Sequence, residues 1–177
     1  MTNIIIKRLC DSPCNIKNGK SLYYKAFPKN ERRPFPEFLD HRLGDTEAFC
    51  FLDGDLFIGM GVVMNSPTIT HITYLAIDEN FRCHGYGSKA LKLIHEYYSG
   101  KRIMVDIELP DGASVNEEER LKRKSFYLRN GYKETEIKYN WRHEKYEILS
   151  FGGAISRKEY DNFWKCFNIK KTNISEI

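Results

Sequence analysis

Apolar residues in the middle of the chain alternate, then change period. LFIGMGVVM (56–64) places Leu56, Ile58, Met60, Val62 and Met64 on one side of an extended strand. Phe57, Gly59, Gly61 and Val63 share the other side, where two missing side chains leave room for another element or a ligand. EAFCFLD (47–53) comes before it. Asp53-Gly54-Asp55 between the two predicts a hairpin, because Asp-Gly accepts the positive φ of a tight turn. THITYLAID (70–78) is apolar on both faces, as suits a central strand covered on both sides. From Gly85 to Tyr98 the period lengthens: Leu91, Ile94 and Tyr98 stand at i, i+3 and i+7, one helical stripe that Gly100 ends. RIMVDIEL (102–109) returns to a strand. Residues 70–109 therefore predict a strand–helix–strand crossover with parallel neighbouring strands.

The flanks are weaker in pattern. Asn3 to Leu9 predicts a strand, and SLYYKAF and FPEFLDHRL predict short helices split by KNERRPFP. After Pro110-Asp111-Gly112, residues Asn116 to Asn130 run from acidic to basic, matching a helix dipole, and Gly131 stops them. The apolar stripe of that helix is poor. YKETEIKYNW and KYEILSF predict an antiparallel pair. Ser156, with Glu159 three residues on, predicts a capped helix to Cys166, and the tail from Lys170 is expected to fray.

Composition adds limits. The 177 residues fit one domain, 1–177, with 41% hydrophobic and 29% charged residues. A net charge of +4 is compatible with an anionic ligand. The basic runs are short (Lys122 to Lys124, then Lys170 and Lys171), so they read as solvated surface and not as a nucleic-acid stripe. No apolar run is long enough for a membrane span, and no leader pattern opens the chain. Five scattered cysteines without paired C-x-x-C units argue against a zinc site and for a reducing, cytoplasmic setting, where the Asn173-Ile174-Ser175 sequon carries no meaning.

The chemistry concentrates in RCHGYGSKAL (82–91). Two glycines and an arginine stand where a strand gives way to a helix. A helix start has unpaired N–H groups and a partial positive charge, and glycines let a phosphate reach the backbone. Arg82 adds a fixed cation. No Gly-Lys-Ser/Thr follows, and Ala90 stands where a dinucleotide fingerprint has its third glycine.

Arg82-Cys83-His84-Gly85-Tyr86-Gly87, straight after YLAID, resembles the signature of the GNAT superfamily of acetyl-CoA-dependent N-acetyltransferases. Phe126-Tyr127-Leu128-Arg129-Asn130-Gly131-Tyr132 resembles a second element of that family. The likeness covers roughly residues 45 to 140. It implies an α/β (α+β) fold: a mixed, mostly antiparallel twisted sheet with a central parallel strand pair and helices on both faces.

The resemblance also implies a chemistry. Arg82, Cys83, His84, Gly85, Tyr86, Gly87 and Ser88 would hold the pyrophosphate of acetyl-CoA. Leu75, Ala76 and Ile77 would pair with its pantetheine arm, and a backbone N–H near Ile77 would stabilise the oxyanion. Tyr127 would protonate the leaving thiolate. The base that deprotonates the amine is left between Glu108, Asp106 and a water relay, with Glu108 favoured by its place at the strand end. No metal is required, transfer is direct, and Cys83 is not assigned as a nucleophile. His71 reads as packed and hydrogen-bonded. Tyr23, Tyr24, Phe35, Phe38 and Trp141 are open between acceptor pocket and core. Partners are expected to be acetyl-CoA and an amine, not nucleic acid or membrane, with a homodimer left open. The competing reading is a non-catalytic coenzyme A or nucleotide sensor, which would need neither Glu108 nor Tyr127.

Overall fold

The computed structural model describes residues 4–40, 45–141 and 144–167. They form strands β1 (Ile4–Arg8), β2 (Thr46–Asp53), β3 (Leu56–Asn65), β4 (Ile69–Ile77), β5 (Arg102–Glu108), β6 (Lys133–Trp141) and β7 (Glu144–Phe151). The α-helices are α1 (Pro13–Ala26), α2 (Tyr86–Tyr97), α3 (Glu117–Arg129) and α4 (Arg157–Cys166). The strands follow the order β1-β2-β3-β4-β5-β7-β6 in one seven-stranded sheet. The sheet is mostly antiparallel, and one pair, β4 with β5, runs parallel as the crossover predicts. The two strands start together, with the Arg102 N–H donating to the Thr68 carbonyl at 3.1 Å.

Contacts group the described residues into two compact units. One holds those up to Asn65 together with Ile72–Ser99; the other holds Ser66–His71 and those from Gly100 onward.

In the first unit, α1 covers one face of β2 and β3. Leu22 and Tyr23 bury against Ala48, Cys50, Leu52, Met60 and Val62, and burial pushes the Cys50 thiol up to about 11. The helix begins at Pro13, well before the predicted SLYYKAF, because proline fits a first helical position while the polar residues after it carry no stripe. The other face takes α2: Leu91 and Ile94 are fully buried, and the Tyr98 hydroxyl donates to Glu47. FPEFLDHRL is a short 3₁₀ segment over Phe35–Leu39, since Pro34 and Pro36 limit helical hydrogen bonding, and its residues 41–43 lie outside the described ones.

The alternation expected along β3 breaks once. Phe51 pairs with Gly59 but Leu52 with Phe57, so Ile58 is an extra, bulged residue. The bulge swaps the strand's first two positions: Phe57 packs with the Met60 cluster, and Leu56 is exposed. The element that comes close at Gly59 is β4 itself. A Cβ there would run into the Ala76 carbonyl and lie 2.9 Å from Ile77 Cδ1.

In the second unit, β5, β7 and β6 pair antiparallel, with a register break between Glu134 and Lys138. α4 carries the predicted capping box, in which Ser156 accepts from the Glu159 N–H and Glu159 reaches back to the Ser156 N–H. It buries Tyr160, Phe163 and Trp164. The weakly patterned α3 is tied down by charge. Lys124 pairs with the buried Glu147 at 2.9 Å, and the buried Arg120 meets Glu144 at 2.8 Å and Glu108 at 3.5 Å. The Lys122–Lys124 run is thus not simply solvated surface; of the three, Lys122 alone is fully turned outward, toward Glu118. Lys170, Lys171, the sequon and the tail lie outside the described residues.

Candidate active site

In the first unit, β4 ends at Ile77 and a tight loop leads to α2. Asp78 caps the short turn Glu79–Phe81 by accepting from the Asn80 N–H at 3.0 Å. The chain then makes two left-handed residues around His84: Cys83 at φ 63° and Gly85 at φ 79°. Such turns converge backbone N–H groups into an anion-binding hollow. Cysteine takes that conformation at some cost, and glycine takes it freely. A Cβ on Gly85 would meet nothing within 4 Å, so its glycine answers to φ and to open space, not to packing.

Gly85 is the N-cap of α2, and no side chain caps that end. The first N–H groups of a helix have no intrahelical acceptor. Here they face a loop whose residues Arg82 to Gly85 and Ser88 are exposed, with Tyr86 and Gly87 half-buried. Arg82 is fixed by donating from Nε to the Ile77 carbonyl at 3.1 Å, and His84 Nδ1–H donates to the Arg82 carbonyl at 2.6 Å. Tyr86 is anchored through its hydroxyl on Asp53 at 2.7 Å. Leu75 and Ile77 are half-buried and Ala76 is buried on the same strand.

The second unit holds the proton-transfer candidates. Tyr127, on α3, is 6% exposed, and its ring packs edge-on against Phe126 and Tyr132. Among the described residues its hydroxyl has no hydrogen-bond partner. Burial pushes the phenol up to about 12, against a small opposing effect of Arg123. Glu108, at the end of β5, is clamped: Arg123 holds one oxygen at 2.6 Å and Arg120 approaches the other at 3.5 Å. Asp106, two residues earlier, has different company. One oxygen accepts from His71 Nε2–H at 3.0 Å and the other from the Tyr139 hydroxyl. Burial and the Asp106 charge hold the Tyr139 phenol well above its usual range. His71 is buried, packed edge-on against Trp164 at 4.9 Å.

This His71–Asp106–Tyr139 chain is what sequence reading missed. Asp106 and His71 were each visible, but their pairing depends on β4 and β5 lying side by side, and no local signal tied Tyr139 to them. The aromatic candidates also separate. Tyr23, Phe35 and Phe38 are core, packed around Tyr74; Trp141 is half-buried against Tyr146; Tyr24 is exposed. Among the described residues no group of three or more His, Cys, Asp or Glu is arranged to hold a metal, and no helix is long and apolar enough to cross a membrane.

A glycine-turned, uncapped helix start follows a central strand, with an arginine fixed beside it. The acetyltransferase (GNAT) family model matches residues 17–132, more than half of the chain, and the chain belongs to that family. No curated protein matches it in sequence. Solved structures share its fold. A protein from Bacteroides thetaiotaomicron described as a GNAT-family acetyltransferase superposes with TM-score 0.78 at 22% identity, over 93% of this chain and 97% of that one. The ribosomal-protein-S18-alanine N-acetyltransferase of Escherichia coli gives 0.64 at 12%, over 87% and 96%. A GNAT-family acetyltransferase from Elizabethkingia anophelis, solved with acetyl-CoA bound, gives 0.58 at 18%, over 85% and 99%.

Proposed function

We propose that this acetyltransferase moves the acetyl group of acetyl-CoA directly onto an amine. The observation that carries the reading is the start of α2: a helix N-terminus without a side-chain cap, opened by Gly85 at φ 79° and flanked by the anchored Arg82. Pyrophosphate binds there through the backbone N–H groups of residues 83 to 88 and the Arg82 guanidinium. The pantetheine arm runs along Leu75 to Ile77 and pairs with the strand's main chain. The Elizabethkingia relative, which binds acetyl-CoA, supports the choice of cosubstrate.

The reaction poses two proton problems. An alkyl amine with pKa ~10.4 is protonated at neutral pH and must lose a proton before attack. The departing thiolate must gain one. Tyr127 supplies the second: its phenol, raised to about 12, stays protonated throughout the working range, and its hydroxyl is uncommitted to protein among the described residues. For the first, Asp106 suits better than the initially favoured Glu108. The partners of Asp106 are an imidazole and a phenol, which themselves exchange protons, whereas those of Glu108 are guanidiniums, which do not.

The test is thiol release from acetyl-CoA with a panel of amines, alongside calorimetric titration of acetyl-CoA. Tyr127→Phe should lower kcat about 10²-fold or more while acetyl-CoA affinity stays within about twofold. Unchanged turnover removes the acid from Tyr127. A titration without heat in folded protein removes the acetyl-CoA reading altogether.

A further inference from the structure

Arg32 stands apart from the other described arginines of the first unit, of which Arg8 pairs with Glu47 at 3.4 Å. Arg33, its neighbour, is committed to Glu37 at 2.9 Å and to the Met64 sulfur at 3.6 Å. Arg82 is fixed on the Ile77 carbonyl, and Lys25 pairs with Glu79. Arg32 has no hydrogen-bond or ion-pair partner among the described residues. Its guanidinium carbon lies 5.0 Å from the centre of the Tyr24 ring, a side chain that is 44% exposed. Its Nε is shut off from solvent without an acceptor among the described residues. A partly dehydrated guanidinium propped on an aromatic ring, with no partner among the described residues, suits an anion that accepts two hydrogen bonds side by side.

The backbone around Arg32 is held on both sides by buried hydroxyls. The Tyr74 hydroxyl donates to the Glu31 carbonyl at 2.7 Å, and the Tyr23 hydroxyl both donates to the Arg33 carbonyl and accepts from its N–H, at 3.0 and 2.9 Å. Tyr74 stands one residue before Leu75. The loop that carries Arg32 is therefore pinned to the strand whose end would carry the acyl arm, within one compact unit. The energetic sense is plain: an ordered loop places a cation that satisfies nothing among the described residues. A fold gains little from such a group, and a substrate anion gains much from it.

We propose that Arg32 is the specificity determinant for the acceptor, and that the acceptor is an amine carrying an anionic group, a carboxylate or a phosphate monoester. This rests on the acetyl-transfer reading of the same unit. The anion docks on the guanidinium of Arg32, over Tyr24, and so orients the amine toward the thioester. Neutral amines bind without that contact.

The test compares matched acceptors: the common L-amino acids against their amides, and phosphoethanolamine against ethanolamine. The wild-type protein should favour one anionic series at least about 10-fold in kcat/KM, through KM; which series wins identifies the anion. Arg32→Gln should erase the preference and leave both acetyl-CoA affinity and turnover of the neutral amine unchanged, and Arg32→Lys should restore part of it. Equal kcat/KM for charged and neutral partners, or a preference that survives in Arg32→Gln, overturns the proposal while leaving acetyl transfer intact. Should no amine be acetylated, the anion site is still read by ¹⁵N NMR of the Arg32 Nε–H group, titrated with N-acetylglycine, inorganic phosphate and N-acetylglycinamide. Movement with either anion and not with the amide supports the site; no movement with the anions overturns it.

Discussion

Single carboxylates differ here in what they already hold. Asp106 and Glu108 point from the same strand two residues apart, and periodicity alone ranks them equally. Their partners do not. Glu108→Gln should weaken two ion pairs that hold α3 to the end of β5, lowering stability with a minor loss of kcat. Asp106→Asn should cut kcat/KM about 10²-fold or more and remove the acidic limb of its pH profile, by breaking the His71–Asp106–Tyr139 chain. Because Asp106→Asn also loosens His71 and Tyr139, the informative readout is the pH profile, which a merely structural loss leaves in place. A larger kinetic effect at Glu108 reverses the assignment. No basic limb from Tyr127 is expected below about pH 11, since burial pushes its phenol up to about 12.

Elements show where sequence is legible and where it is not. The stretch from β2 to β5 was readable because apolar side chains dominate its contacts, and burial imposes periods of 2 and 3.6. The capping box of α4 was readable because all its atoms lie within four residues. α3 was hard to read for the opposite reason: its attachment is ionic, and a charge pattern does not say which charges find partners. The Ile58 bulge left no mark in the composition of β3, though it moved Phe57 to the other face. Among the candidate groups, the loop before α2 was local and visible, while the His71–Asp106–Tyr139 chain joins three strands and was not.

Two predictions belong to this scale. Lys124→Ala leaves Glu147, 1% exposed, as an unpaired buried charge, which should cost about 3–5 kcal/mol by urea unfolding, against little for Lys122→Ala. Glu159 is held down to about 2, first by its bond from Arg102 and then by the Ser156 groups it caps. A depressed carboxylate contributes stability above its unfolded pKa of about 4.3, and that contribution fades as pH falls toward 2. The urea midpoint of Glu159→Gln should therefore trail the wild type at pH 6 and converge with it near pH 2. A gap that stays constant over that range removes the ionic part of the cap.

At the scale of the molecule, cosubstrate binding and stability are one equilibrium. A ligand that binds only the folded chain stabilises it by about 2.7 kcal/mol at 100 times its Kd. For a chain of this length each kcal/mol is worth about 2–4 °C in Tm. Saturating acetyl-CoA should thus raise Tm by roughly 5–11 °C. S-acetylpantetheine, which lacks the pyrophosphate and nucleotide, should give a much smaller rise at equal concentration, because the start of α2 then has no anion to hold. Arg82→Gln should lower the acetyl-CoA shift without lowering that of S-acetylpantetheine, and added salt should do the same by screening. Gly85→Val should lower both the basal Tm and the shift. A left-handed φ of 79° strains any side chain, and a branched one would stand in the open space the phosphate enters. Equal shifts from the two thioesters would mean that the glycine-turned helix start binds no phosphate. The uncapped end of α2 would then have lost the ligand that best accounts for its shape.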